Sequence, residues 1–269
     1  MRLIPKFLLI SLPLNFLLSY LWKFQNYELT LTPSGIYINL FLILPGILPF
    51  FLKRNVLKNF IDVSKRIGTV RLYVISLVYN FILFSGILTV GLIFKIISFD
   101  KSFNIETQLL GLLFDIPLYI AIWLPSIYPH EFAWRSFILD NKSNRTDISK
   151  VIESAIIWSI SFSVISFYFI LQNNIIFGLS FLISQFLNGV ALNMFYIKSR
   201  SLWLCSFHHI LFIVLNSFIF GSIFQDGVIF NEKFGILNAN GGIGVIMQIF
   251  LIILLFFKMK NIKISNSSN

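Results

Sequence analysis

Long apolar runs separated by short basic turns constrain this chain more than any other feature. Runs at 7–22, 35–52, 72–94, 109–128, 151–171, 175–197, 202–220 and 242–257 carry almost no charge. A helix needs about 17–25 apolar residues to cross the hydrocarbon of a bilayer. Only helices and closed barrels satisfy every backbone donor and acceptor there. The expected fold class is therefore all-α, a polytopic membrane helical bundle with about eight transmembrane helices. Charged residues make up 12% of the 269, against about 25% in an average soluble domain. No polar stretch is long enough to form a separate soluble domain.

A net charge of +10 would suggest nucleic acid in a soluble protein. Its distribution argues otherwise. With the N-terminus inside and alternating crossings, 17 of the 21 Lys and Arg residues fall on the cytoplasmic side, as the positive-inside bias requires. Both termini are then cytoplasmic, membrane lipids are partners and no nucleic acid is expected. Heavy use of Phe, Ile, Asn and Lys fits an AT-rich genome, and the expected location is a bacterial cytoplasmic membrane. Arg2 and Lys6 before an apolar run imitate a secretory signal. The small residues of a cleavage site do not follow, since the first alanine is Ala121, so an uncleaved first helix is expected. Cys205 is the single cysteine, which excludes an internal disulfide. No repeat of the transporter kind is visible, and the polar tail Ser265 to Asn269 is expected to fray.

Ionisable groups inside a span cost about 2.5–3.5 kcal/mol each, so each is a functional candidate. The densest cluster is PHEFAWRSF, Pro129 to Phe137. Glu131 and Arg135 are four apart and share a helix face. Pro129 suits a helix start, and a carboxylate in a first turn is favoured by the helix dipole. Locally, the cluster fits a capped, salt-bridged helix N-terminus at the membrane surface as well as it fits a reactive site. His208 and His209 point about 100° apart on a helix, so at most one faces a given site. Histidine in a bundle is as often hydrogen-bonded to a neighbouring helix as it is reactive. Two histidines without further ligands at suitable spacing signal a metal only weakly, and HEFAWR is not HExxH. No metal or cofactor is expected. Asp115, two residues before Pro117, reads as paired or solvated, and Cys205 as buried and inert. Gln185, Asn188 and Asn193 read as interhelical hydrogen-bond groups.

Taken in order, these elements resemble the CAAX protease and bacteriocin-processing (CPBP, or Abi) family of intramembrane endopeptidases. Its pattern is Glu-Glu-x-x-x-Arg, then Phe-x-x-x-His, then His-x-x-x-Asn or Asp. HEFAWR matches the second Glu and the Arg at Glu131 and Arg135. The stretch GVALNMFYIKSRSLWLCSFHH, Gly189 to His209, is similar to the family's third region and places His209 at its histidine. Gly241 to Gly244 resembles the glycine-rich start of the family's last helix. The resemblance covers Asp115 to His209 well. It implies a core at 109–220, preceded by transmembrane helices in 1–108 and followed by one helix and a polar tail in 221–269.

The chain departs from the family at the positions that the resemblance makes chemical. His130 stands for the first Glu. Trp158 and Phe162, in Ser154 to Phe162, stand for the Phe and His of the second motif. Ile213 stands for the Asn. Hydrolysis needs a base that takes a proton from a held water and donors that meet the oxyanion; Phe and Ile supply neither. The candidate catalytic residues are Glu131, Arg135 and His209. His130 is a substitute base, since histidine is the side chain whose ordinary titration lies near neutral pH, and His208 is a further substitute. Asn216, two turns beyond His209, lies too far along the axis to replace the amide. Three functions follow as expectations. The first is a degenerate family member that binds a membrane-associated peptide or protein. The second is an active endopeptidase with a rearranged site using Glu131 or His130. The third is a small transporter using Asp115 and the histidines.

Overall fold

The computed structural model describes residues 3–24, 33–96, 105–141, 147–172, 174–222 and 236–260. All eight apolar runs form helices, and the described residues are all-α, as hydropathy requires. In chain order they are α1 (Leu3–Phe24), α2 (Pro33–Leu52), α3 (Val56–Ser64), α4 (Val70–Ile93) and α5 (Ile105–Glu131). Then come α6 (Asp147–Ile160), α7 (Ser163–Leu171), α8 (Ile175–Ser199), α9 (Leu202–Ser222) and α10 (Gly242–Lys260). Four of these helices, α1, α4, α8 and α10, are long and apolar enough to cross a membrane, and α6 with α7 makes a fifth if the bent pair is one span. Phe51, Phe81 and Val70 are 81%, 71% and 79% exposed. Such apolar exposure suits contact with lipid rather than water. The side chain of Asp115 and the tail Ser265–Asn269 lie outside the described residues.

The helix after Pro129 is not a fresh start. α5 contains Pro117, Pro125 and Pro129 in its interior and the chain stays helical to Asp140. HEFAWR therefore lies inside the bundle, not at a helix N-terminus at the surface. Proline lacks the N–H that would have closed the turn onto the carbonyl four residues back. The backbone then widens into a π-helical turn, Phe132–Phe137, a device concentrated at functional sites. Every residue of that turn is buried, because α2, α6, α8 and α9 all pack on it.

The fifth apolar run is also not one rod. It bends by 48° between α6 and α7. The Ser161 hydroxyl donates to the Trp158 carbonyl (2.6 Å) and that of Ser159 to the Ile156 carbonyl (2.9 Å). Hydroxyls that take backbone acceptors within a turn compete with the helical ladder, and the run of serines does so here. α3 was hidden within a basic turn. It turns Val56 and Val63 inward and sets Phe60 against Phe132 (5.0 Å) and Tyr128 (5.9 Å).

α2 reaches α5 where Gly46 meets Pro129. A Cβ on Gly46 would lie 2.4 Å from the Pro129 carbonyl carbon and oxygen. Backbone cannot step aside as a flexible side chain does. Gly46→Ala is therefore expected to cost about 3 kcal/mol, the upper part of the overpacking range, read as a lowered thermal midpoint of the detergent-solubilised protein.

Candidate active site

The π turn aims its side chains at three other helices. Residues four apart share a helix face, and Glu131, at the end of α5, and Arg135 in the π turn are four apart. The Arg135 Nε donates to Glu131 Oε2 at 2.8 Å, with both side chains fully buried. Glu131 Oε1 lies 2.7 Å from His209 Nδ1 on α9. Arg135 Nη1 donates to Asn193 Oδ1 on α8 at 2.7 Å. Asn193 Nδ2 in turn donates to the Val151 carbonyl on α6 at 2.8 Å. One continuous polar chain thus clasps α5, α9, α8 and α6. Buried ions are tolerated only when paired and hydrogen-bonded, and this arrangement meets that condition with one exception. Arg135 Nη2 has no partner among the described residues; the guanidinium carbon lies 4.9 Å from the centroid of the Trp158 ring.

His130 is fully buried beside this clasp. The indole Nε1 of Trp158 donates to His130 Nε2 at 3.0 Å. A nitrogen that accepts carries no proton in neutral imidazole, so Nδ1–H donates to the Leu42 carbonyl, 3.2 Å away. Both ring nitrogens are thereby occupied by the protein. The Trp158 ring also meets His209 (5.8 Å) and Phe162 (5.0 Å) edge-on, and Phe162 packs on Phe41 (5.1 Å). Trp158 is sealed at 0% exposure and Phe162 is at 8%.

The two neighbouring histidines separate as helical geometry demands. His209 faces Glu131. His208 faces α4, where Asn80 Nδ2 donates to its Nδ1 at 3.1 Å and the Ser76 hydroxyl lies 2.9 Å away. His208 is therefore part of the α4–α9 contact and stands apart from the clasp. Cys205 is buried with its thiol 3.7 Å from the Leu192 carbonyl. Asn216 Oδ1 accepts from the Ala239 amide (3.0 Å), which fixes the turn before α10. Among the described residues no group of three His, Cys, Asp or Glu side chains is placed to hold a metal ion.

With this geometry in view, residues 112–215 match the family described as Type II CAAX prenyl endopeptidase Rce1-like. Over that segment, 104 of the 269 residues, the chain is similar to the CAAX protease and bacteriocin-processing family. No curated protein matches it. The matched Rce1-like segment runs from α5 into α9 and contains every residue of the clasp.

Within the matched segment, three of the four sequence departures fall around one spot. Trp158 touches both His130 and Phe162 there, and each of the three stands where the family pattern has a different residue. Ile213, where the pattern has an amide, is half-buried against the apolar core. The retained residues form the clasp and the exchanged ones fill the space beside it. Two contributors were not singled out as partners in the sequence. Asn193 was legible as an interhelical group, because an amide in an apolar span needs a partner, but the partner was not. Trp158 was visible only as a bulky residue at a motif position. The sequence offers no signal that its indole would reach a ring 28 residues away.

Proposed function

We propose that this integral membrane protein is a non-proteolytic member of its family that binds a membrane-associated peptide or protein. One observation carries the reading: Trp158 packs against His130, His209 and Arg135 and its indole occupies His130 Nε2, the ring nitrogen a base would need free. Hydrolysis would need that nitrogen, or Glu131, as a base. Both Glu131 oxygens already accept, from Arg135 and His209. An oxyanion would need donors, and neither Phe162 nor Ile213 has one. The orientation with both termini cytoplasmic, and a bacterial cytoplasmic membrane as location, are parts of the same reading. The first rests on the distribution of Lys and Arg, the second on the heavy use of Phe, Ile, Asn and Lys.

The second reading, an active endopeptidase, has one observation in its favour. Glu131 holds His209 by Nδ1, as the carboxylate of a catalytic triad holds its imidazole. His209 is also, at 4%, the one group among His130, Glu131, Arg135 and His209 with any exposure. The two readings separate in the native host. New protein N-termini in membranes would be compared between strains carrying the gene, its deletion and His209→Gln. The expected result is the same set in all three. Termini that vanish in both the deletion and the His209→Gln strain would establish proteolysis and name the substrate.

A further inference from the structure

The chain between α2 and α4 builds an element that the clasp does not use. Lys53, Arg54, Lys58, Lys65, Arg66 and Arg71 are all exposed there, with Asp62 the one acidic residue among 53–71. At about 100° per residue, α3 has three faces. Val56, Phe60 and Val63 point into the bundle. Leu57 and Ile61, 60% and 44% exposed, form one flank. Lys58 and Asp62 form the other, also exposed. In water the apolar flank would be a liability. At the boundary between headgroups and hydrocarbon both flanks are satisfied, as for helices lying in the interface.

Beside α3 is an open groove of about 410 Å³, lined by Ser64, Lys65, Ile67, Tyr73 and Trp203. Its walls have turned their donors inward. Trp203 Nε1 donates to the Ser64 carbonyl (2.8 Å), and the Tyr73 hydroxyl to that of Ile67 (2.7 Å). The Ser201 hydroxyl also donates to the Ile67 carbonyl (2.8 Å). What the walls offer a ligand is therefore hydrocarbon and ring surface, with Lys65 exposed among the lining residues and Arg66 exposed next to it in the chain. The groove is held in place by Trp203 against Tyr128, ring centroids 4.8 Å apart.

We propose that this groove binds one anionic phospholipid, its acyl chain along Ile67 and Trp203 and its phosphate between Lys65 and Arg66. Charge complementarity selects this occupant. A zwitterionic lipid would cover the same apolar wall but carry its own cation to a rim that already holds two. The site does not depend on whether the core cleaves peptides.

The test uses the full chain in nanodiscs and the emission of Trp203, taken as the difference between the parent and Trp203→Phe. One nanodisc set contains a small fraction of dibrominated phosphatidylglycerol in phosphatidylcholine. The other contains the same fraction of dibrominated phosphatidylcholine. Trp203 is expected to be quenched preferentially by the anionic lipid. One basic residue near an anionic surface contributes roughly fivefold in partition. Lys65→Gln with Arg66→Gln should thus lower the preference by at least about fivefold. Arg54→Gln with Lys58→Gln removes the same charge from the same surface and should leave it nearly intact. Equal quenching by the two lipids would overturn the proposal, as contact with bulk bilayer only. Equal loss in the two double variants would also overturn it, as a diffuse surface field without a site.

Discussion

Glu131→Ala is expected to lower the unfolding free energy by about 3–5 kcal/mol, the range for removing one partner of a buried ion pair. Arg135 is fully enclosed and its guanidinium cannot turn toward water. Without Glu131 it keeps Asn193 as its one hydrogen-bond acceptor, and the Nδ1 of His209 loses its partner as well. Glu131→Gln should cost less, because the amide oxygen still accepts one of those bonds. The informative variant is the pair Glu131→Leu with Arg135→Met. It removes both charges and keeps most of the volume, and such exchanges are often neutral or better. The double variant should therefore be more stable than Glu131→Ala, although Asn193 Oδ1 loses its donor. Unfolding by SDS of the detergent-solubilised protein reads all of them. A double variant as unstable as the sum of its two single changes would mean that the two residues do not act as one energetic unit.

How much of this could be read from the sequence follows from which forces are one-dimensional. Hydropathy is, and all eight apolar runs became helices. The separation of His208 and His209 by about 100° is fixed by helical rotation alone, whereas their partners on α4 and α5 are set by packing. The π turn after Pro129 is different. Proline announces a lost hydrogen bond, but whether a helix ends there or widens depends on what packs around it. Here Gly46 lets α2 come against Pro129, and the turn survives buried. The bend at Ser161 and Phe162 is similar: serines in a span are ordinary until their hydroxyls take carbonyls of their own helix. α3 is not legible in the sequence, because nine residues are too few to show a span and its lysines resemble those of a loop. The clasp was half legible. Glu131 with Arg135 is a spacing, whereas Asn193 to Arg135 and Trp158 to His130 are contacts 58 and 28 residues apart, set by tertiary packing.

Trp158→Ala is expected to cost about 3–5 kcal/mol, as truncation of a large buried ring does, and its chemical effect should be more telling than the loss itself. Gly189 marks how closely the indole is held, since a Cβ there would lie 2.8 Å from the Trp158 ring. Removing the indole takes away the donor to His130 Nε2, the ring over Arg135 and the edge against His209 together. Polar groups that face a new cavity of sufficient size can hold water. His130 should then react with diethyl pyrocarbonate in the variant and resist it in the parent, read by mass from the peptide that carries it. Cleavage should still be absent. Phe162 continues to offer no nitrogen and Ile213 no amide, so a water beside His130 would meet a base, but the oxyanion formed on the peptide carbonyl would lack the donors that the family pattern has at those two positions. Two separate deficits then protect any bound peptide, and filling the space is only one of them. If Trp158→Ala alone produced new N-termini in host membranes, the tryptophan would be a gate over a working site. The donors needed by the oxyanion would then have to come from His209 and the Arg135 Nη2, which has no partner among the described residues.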